Sequence, residues 1–295
     1  LSLHVTQSDE TPTQVIKDSD HPNSKCYMWV HRSGEFYEDR PIVIYEYQKG
    51  RDHKSPLEFY KDYSGILVTD SLQQYHLIEK KLPNVTNANC WAHARRSFAD
   101  AVKIADKKDP KSVKQSVAYQ ALQKIGEFYT ADTELKMLSS QERLQKRQEF
   151  IKPLVEEFFA WVKEQIEQCS VPPKSKTGEG LQFIINQEKY LRVFLEDGDV
   201  PIDNSASERA IRTFCLGKKN WMFHNTANGA AASALVYSIS ETAKLNNLRP
   251  YYYFKYILTE LPNFCDEQGN IDSTKLDDLM PWSDKLPEEC RKPRR

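Results

Sequence analysis

The chain has 295 residues, with 41 basic and 42 acidic side chains and a formal charge of −1. Bulk charge therefore does not announce a polyanionic partner, and any phosphate-binding surface must be local. The content of 39% hydrophobic and 28% charged residues is that of a soluble globular protein with a substantial core. No apolar run approaches the ~20 residues that span a bilayer, which excludes a membrane protein of the helical kind. The start, LSLHVTQSDE, lacks the basic and apolar regions of a secretory signal. It also lacks an initiator Met, so the sequence reads as a fragment whose N-terminal part is missing. Six cysteines (26, 90, 169, 215, 265 and 290) lie far apart with no CxxC pair. Reduced thiols and a cytoplasmic location fit them better than a disulfide framework.

In chain order, β-rich runs appear at Leu3–Thr6, Cys26–His31, Pro41–Tyr47, Gly65–Thr69 and Asn84–Asn89. Ser33-Gly34-Glu35 reads as the turn of a hairpin between the second and third. A short connection, Lys54–Asp62, separates them from the last two runs, which are followed by helices at Ser71–Lys81 and Trp91–Ile104. Strands with helical crossovers suit a parallel arrangement. From Asp109 to Gln168 the pattern is of long helices. Ser139-x-x-Glu142 is a capping-box start, and Pro153 marks a kink or a break. VPPKSKTGEG (171–180) reads as a loop and Leu181–Leu195 as a helix. Asn204 or Ser205 is an N-cap for a helix over Ser205–Cys215 that carries Glu208 in its first turn. Helices over Ala230–Asn246 and Pro250–Leu261 follow, the second with Pro at its first position. The tail from Pro262, ending RKPRR, reads as a peripheral appendage.

Asp9 ends the first strand signal and Asp70 ends the fourth. In an open parallel sheet, ligands bind beyond the carboxyl ends of strands where the winding reverses. If those strands are neighbours, two carboxylates project roughly 5 Å apart. That is a site for hard divalent cations, which prefer oxygen donors. Each acid also has a plainer reading. Asp9 begins a turn with Thr11 and Pro12, Asp70 caps the following helix, and Glu208 completes a capping box with Ser205.

Several blocks carry a resemblance that decides between these readings. They are SDETPTQV (8–15), YSGILVTDSLQQY (63–75), CWAHARRSFADA (90–101), PPKS (172–175) and VPIDNSASERAIRTFCLGKKNWMF (200–223). The run from Gly229 through SALVYSISETAKLNNLRPYYYFKYILTELP, and LMPWS (279–283), extend them over most of the chain. In this order the blocks resemble the insertion sequence 66 family of transposases. The resemblance implies an α/β fold: a ribonuclease-H-like mixed sheet flanked by helices, with a helical insertion before the last catalytic acid and a helical C-terminal part. The expected division is residues 1–108 for the first part of the catalytic core and 109–198 for the helical insertion. Residues 199–262 form the rest of the core with the third acid, and 263–295 the appendage. On the family pattern Asp9, Asp70 and Glu208 are the catalytic, metal-binding triad of a DDE transposase. The implied cofactor is Mg2+, with Mn2+ as its substitute. Double-stranded DNA, as transposon ends and as target, is the implied partner, bound by a homodimer or higher assembly. The sequence departs from the pattern at Ser71, where Gly is usual, and at the single Asn204, where two Asn are common.

Two clusters supply local positive charge. Between Glu208 and Lys219 four bases face one acid, a net +3, and between Ala92 and Lys108 five bases face two acids, again +3. Arg209, Arg212, Lys218, Lys219 and Trp221, with Arg95 and Arg96, are the candidate DNA contacts, since cations dominate affinity for a phosphate backbone. A solvated helix face is the alternative for the arginines and a core position for Trp221. Cys90-x-x-His93 has half a zinc site's spacing with no second half, so no zinc is expected and the pair reads as structural or positioning. A ribonuclease-H-like nuclease that hydrolyses without joining, and a catalytically silent transposon-derived DNA-binding protein, are the rival functions.

Overall fold

The computed structural model describes residues 3–17, 25–52, 54–107, 112–266 and 268–293. Lys108 of the second basic cluster, and the last two arginines of the tail, lie outside the described residues. The chain forms two compact units: residues 1–7, 34–36 and 53–206 make the first, and 8–33, 37–52 and 207–295 the second.

Seven strands are β1 (Val5–Thr13), β2 (Val15–Lys17), β3 (Cys26–Ser33), β4 (Val43–Gln48), β5 (Gly65–Thr69), β6 (Val85–Asn89) and β7 (His224–Thr226) among the described residues. Five make one mixed sheet in the order β4-β3-β1-β5-β6, and β2 pairs with β7 in a small parallel ladder. The first and fourth strand signals are thus neighbours, parallel, with Val5 opposite Ile66, Thr6 opposite Leu67 and Gln7 opposite Val68. The first strand runs well past its apolar signal, so Asp9 lies inside β1 rather than at its end. Its buried residues Thr6, Gln7 and Ser8 are polar, which ends a hydrophobic run without ending the strand. The hairpin expected at Ser33-Gly34-Glu35 is a longer connection, residues 34–42. Gly34 turns aside to donate its N–H to the Val5 carbonyl (2.9 Å), and a Cβ there would lie 3.1 Å from the Val5 Cβ.

In the first unit, β5 and β6 are joined by α2 (Gln73–Lys81), and α1 (Lys54–Phe59) precedes β5. Helices α3 (Trp91–Ala94), α4 (Arg96–Asp106), α5 (Val117–Glu134), α6 (Ser140–Lys146), α7 (Lys152–Glu167), α8 (Lys176–Asn186) and α9 (Glu188–Leu191) follow. The single helix expected over 91–104 is broken at Arg95. The break lets Trp91 drop into an aromatic nest of Phe128, Phe158, Phe159 and Phe194, at centroid distances of 4.7, 5.8, 5.9 and 6.5 Å. Its indole N–H donates to the Leu191 carbonyl (2.8 Å), so the one polar atom is satisfied. The Ser139–Glu142 capping box forms as read. Between α6 and α7 the helix widens into a π segment over Arg147–Ile151, and Pro153 stands in the first turn of α7.

The 171–180 stretch is a loop only to Ser175, whose hydroxyl accepts the Gly178 N–H and starts α8. Its glycines signal close approach rather than a turn. A Cβ on Gly178 would lie 2.3 Å from the Pro172 carbonyl oxygen, and one on Gly180 would lie 2.9 Å from Phe98. The helix expected over 181–195 breaks at Gln187, whose side chain accepts from Asn89 Nδ2 (2.9 Å).

In the second unit, α10 (Ser205–Trp221) continues two turns past its expected end, and Met222 stops it with a left-handed backbone (φ 66°). Helix α11 (Ala227–Leu245) lies along the edge strand β4. Ser238 and Thr242, one turn apart, meet alternate residues of that strand. The Tyr45 N–H donates to Ser238 Oγ (2.8 Å), and Thr242 Oγ1 both accepts from the Val43 N–H (3.1 Å) and donates to its carbonyl (2.9 Å). Backbone groups that an open edge would offer to another chain are so occupied by hydroxyls. Helix α12 (Pro250–Glu260) starts on its proline as expected. Residues beyond it pack back on it: the Tyr253 hydroxyl donates to the Leu279 carbonyl (2.8 Å), and Leu286 joins Ala243, Leu248 and Tyr253 in a buried cluster.

Candidate active site

Asp70 directly follows β5, half-buried, and its Oδ1 accepts the Leu72 N–H (3.1 Å). It shapes the turn into α2 rather than capping the helix, whose N-cap is Leu72. Behind it runs a chain of buried polar groups. The Thr69 hydroxyl lies 3.1 Å from Asn87 Oδ1, Asn87 Nδ2 donates to Asn89 Oδ1 (3.0 Å), and His76 stacks on Tyr190 with ring centroids 4.1 Å apart. Burial lowers the His76 pKa, which favours the neutral ring. Sequence reading missed this chain, although Asn87 and Asn89 at alternate positions of a strand are its signal.

Cys90 is buried at the N-terminus of α3, and its Sγ accepts the Asn204 N–H (3.1 Å). The Asn204 side chain in turn accepts from Gln7 Nε2 (3.2 Å), and the Trp91 N–H donates to the Ile202 carbonyl (3.2 Å). These three bonds seat the residues before α10 against β1 and α3. The Cys90 sulfur is thus one of the acceptors in this set of bonds. Asp203 binds the Ser205 N–H (2.8 Å) and lies near Tyr129, whose pKa is raised by burial first and by the Asp203 charge. Arg95 and Arg96 are exposed at the junction of α3 and α4.

In the second unit, Asp9 is half-buried in β1 and its Oδ1 accepts the Glu10 N–H (2.9 Å). Glu10 is paired with Arg51 (2.6 Å), and Ser8 Oγ lies 2.7 Å from the ring of His31. Burial holds the His31 pKa below its ordinary value against the raising effect of Glu46. Glu208 stands in the first turn of α10, half-buried. The same helix is tied to β1 further along, where Cys215 Sγ approaches Thr11 Oγ1 (3.5 Å) and Lys218 Nζ donates to the Pro12 carbonyl. Arg209, Arg212 and Lys219 are exposed. Trp221 is half-buried, with Phe214 at 5.3 Å and His224 at 4.4 Å between centroids.

Within the second unit, α10 is tied to β1 by Cys215 to Thr11 and Lys218 to Pro12.

Comparison with known proteins yields one family. Residues 1–232 match the family described as Transposase IS66 family, and residues 238–282 match the IS66 C-terminal element. Two relatives are uncharacterized proteins of Sinorhizobium fredii. The protein y4hP is 30% identical over 250 residues, covering 82% of this chain and 44% of that protein. The protein y4qI is 28% identical over 288 residues, covering 94% and 50%. The chain thus spans about half the length of the curated relatives it matches. A simian T-cell lymphotropic virus intasome structure aligns at 11% identity and a TM-score of 0.22, covering 37% of this chain and 43% of that one.

Proposed function

This chain belongs to the insertion sequence 66 family of transposases, and from that premise we propose that it cuts DNA strands at the ends of a mobile element and joins them to a target. Its five-stranded sheet serves as a ribonuclease-H-like core, and Asp9, Asp70 and Glu208 are the acids that act. The observation that supports this reading is the parallel register of β1 on β5. Each residue of β1 paired with β5 is 61 positions before its partner, and Asp9 and Asp70 have that same separation two residues further on. Glu208 enters on the helix that runs beside β1.

Three carboxylates are a donor set for a hard divalent cation, which fits Mg2+ and its substitute Mn2+. Bound there, a pair of such ions would supply charge to the attacking and leaving oxygens of an in-line displacement. Asp9 and Asp70 hold the site from the strands, and Glu208 closes it from α10. Water attacks the scissile phosphorus first and the P–O3′ bond breaks, leaving a 3′-hydroxyl on the element's end and a 5′-phosphate on the flanking strand. That hydroxyl then attacks a target phosphorus, one P–O bond forming as another breaks and a target 3′-hydroxyl departs. Two ends must meet one target, so the working species is a dimer or larger on DNA.

Arg209 and Arg212, three residues apart on α10 and so sharing a face, are the residues that bind phosphate oxygens flanking the scissile bond in this reading. Replacing each by Ala is expected to weaken DNA binding without regard to sequence and to lower the salt-dependence slope by about 1 per residue. Fluorescence anisotropy across a salt series checks this. Full-length and pre-cleaved element ends, incubated with the protein, Mg2+ and a target plasmid, test the reaction itself. Nicked ends and joined products are expected. Nicks without joining would assign the chain to hydrolytic nucleases, and neither product with intact DNA binding would assign it to silent DNA-binding proteins.

A further inference from the structure

Outside the proposed active site, the first unit assembles a second donor set from residues that are remote in sequence. We propose that His4, Asp197 and Asp199 form a divalent-cation site that fastens the approach to β1 to the turn following residue 195. The three side chains offer one nitrogen and two oxygens, all within 4.8 Å of one another. His4 Nε2 lies 2.6 Å from Asp197 Oδ2.

The segments bearing these ligands are held before any cation arrives. The His4 carbonyl accepts from the Ile66 N–H (2.9 Å) and from the Tyr63 hydroxyl (3.1 Å). The Asp197 carbonyl accepts from Arg147 Nη1 (3.0 Å), and Asp197 Oδ1 accepts the Asp199 N–H (2.8 Å), which leaves Oδ2 turned to His4. Gly198 between the two acids is pressed on the start of α6, where a Cβ would lie 1.9 Å from the Ser140 carbonyl oxygen. Arg143, 3.9 Å from Asp199, is the competing cation. Its guanidinium is spent elsewhere, on the carbonyls of Gly198 (2.6 Å) and Leu138 (2.7 Å) and on the face of Phe36 at 3.6 Å. Asp199 is left without a close ion pair from it.

Small side-chain rotations bring three such atoms to the roughly 3.3 Å mutual spacing that tetrahedral bonds of ~2.0–2.1 Å require. The imidazole selects borderline ions such as Zn2+, Co2+ or Ni2+ over Mg2+ and Ca2+. His4 is 59% exposed and Asp197 23%, so water reaches the remaining coordination positions. The site stands five residues before Asp9, roughly 17 Å of strand at ~3.3 Å per residue, and does not depend on the proposed active site. Its consequence is structural: a bound ion ties the two segments together in the folded chain only, and so stabilises it by mass action.

The test compares the full chain with its His4→Ala and Asp70→Asn counterparts, using Co2+ alone as the probe. Equilibrium dialysis is expected to find one Co2+ equivalent fewer in His4→Ala than in the original chain. The same increment persists in Asp70→Asn. Visible d–d absorption develops with that equivalent, without a sulfur-to-cobalt charge-transfer band. Saturating Co2+ is expected to raise Tm by about 5 °C more in the original chain than in His4→Ala. Equal stoichiometry in the two, or a His4-dependent spectrum with thiolate character, overturns the site. A plain His4–Asp197 ion pair gives equal stoichiometry and so counts against it.

Discussion

Glu208→Gln is expected to leave the chain folded and to lower strand cleavage by about 10³-fold or more, on the order of 4 kcal/mol in transition-state stabilisation. The reasoning separates two roles that one side chain can fill in the first turn of a helix. A capping box needs an oxygen acceptor reaching back to the N-cap, which glutamine provides. A hard cation needs an anionic oxygen, which it does not. Neighbouring anchors of α10, at Asn204, Cys215 and Lys218, do not involve the Glu208 side chain. Melting within about 0.5 kcal/mol of the original chain is therefore expected. Cleavage and joining assays in Mg2+ give the readout. Undiminished cleavage would remove Glu208 from the active site, and loss of folding would assign it a structural role.

The largest effect on stability is expected at Arg147. Its side chain is fully buried and ion-paired with Asp132 at 2.7 Å, itself only 1% exposed. It also donates to the carbonyls of Phe194 (2.8 Å), Asp197 (3.0 Å) and Val200 (2.8 Å). The turn leading to α10 is held by this guanidinium together with that of Arg143 on the Gly198 carbonyl. Arg147→Ala leaves a buried carboxylate unpaired and takes one hydrogen bond from each of three carbonyls, and removing one partner of a buried pair costs about 3–5 kcal/mol. Denaturant unfolding is expected to show a loss of at least that size. Adding Asp132→Ala to the Arg147→Ala chain should recover part of it, because the orphaned charge goes too. Additive losses would show that the pair is not coupled.

Most strands and their order of appearance were legible, because Cys26–His31, Gly65–Thr69 and Asn84–Asn89 carry apolar or β-branched residues between clear turn residues. The extent of β1 was not, since Gln7 and Ser8 are buried polar groups whose partners, Asn204 and His31, are remote in sequence. Periodicity registers burial only when buried residues are apolar. The same limit hid the Thr69–Asn87–Asn89 chain. Glycine misled for another reason: at Gly178 and Gly180 it answers a neighbour's approach, which local sequence does not contain. The break at Arg95 follows from seating Trp91 among phenylalanines up to a hundred residues away. Of the candidate site, the three acids and the basic face of α10 were legible as residue types. What ties α10 to β1 became visible only in three dimensions, through Thr11 and Pro12.

The π segment at Arg147–Ile151 constrains how this chain tolerates deletions. Within it the helix makes one wide turn, with both Arg147 and Ile151 fully buried. Deleting one residue there would restore ordinary winding, but it would turn all of α7 by about 100° relative to α6. Phe158 and Phe159 would then swing off Trp91, and the seat of Cys90 beside it would loosen. Length changes in this stretch are thus tolerable only in whole turns, so a slip in a helix remote from the acids reaches the sulfur that accepts the Asn204 N–H.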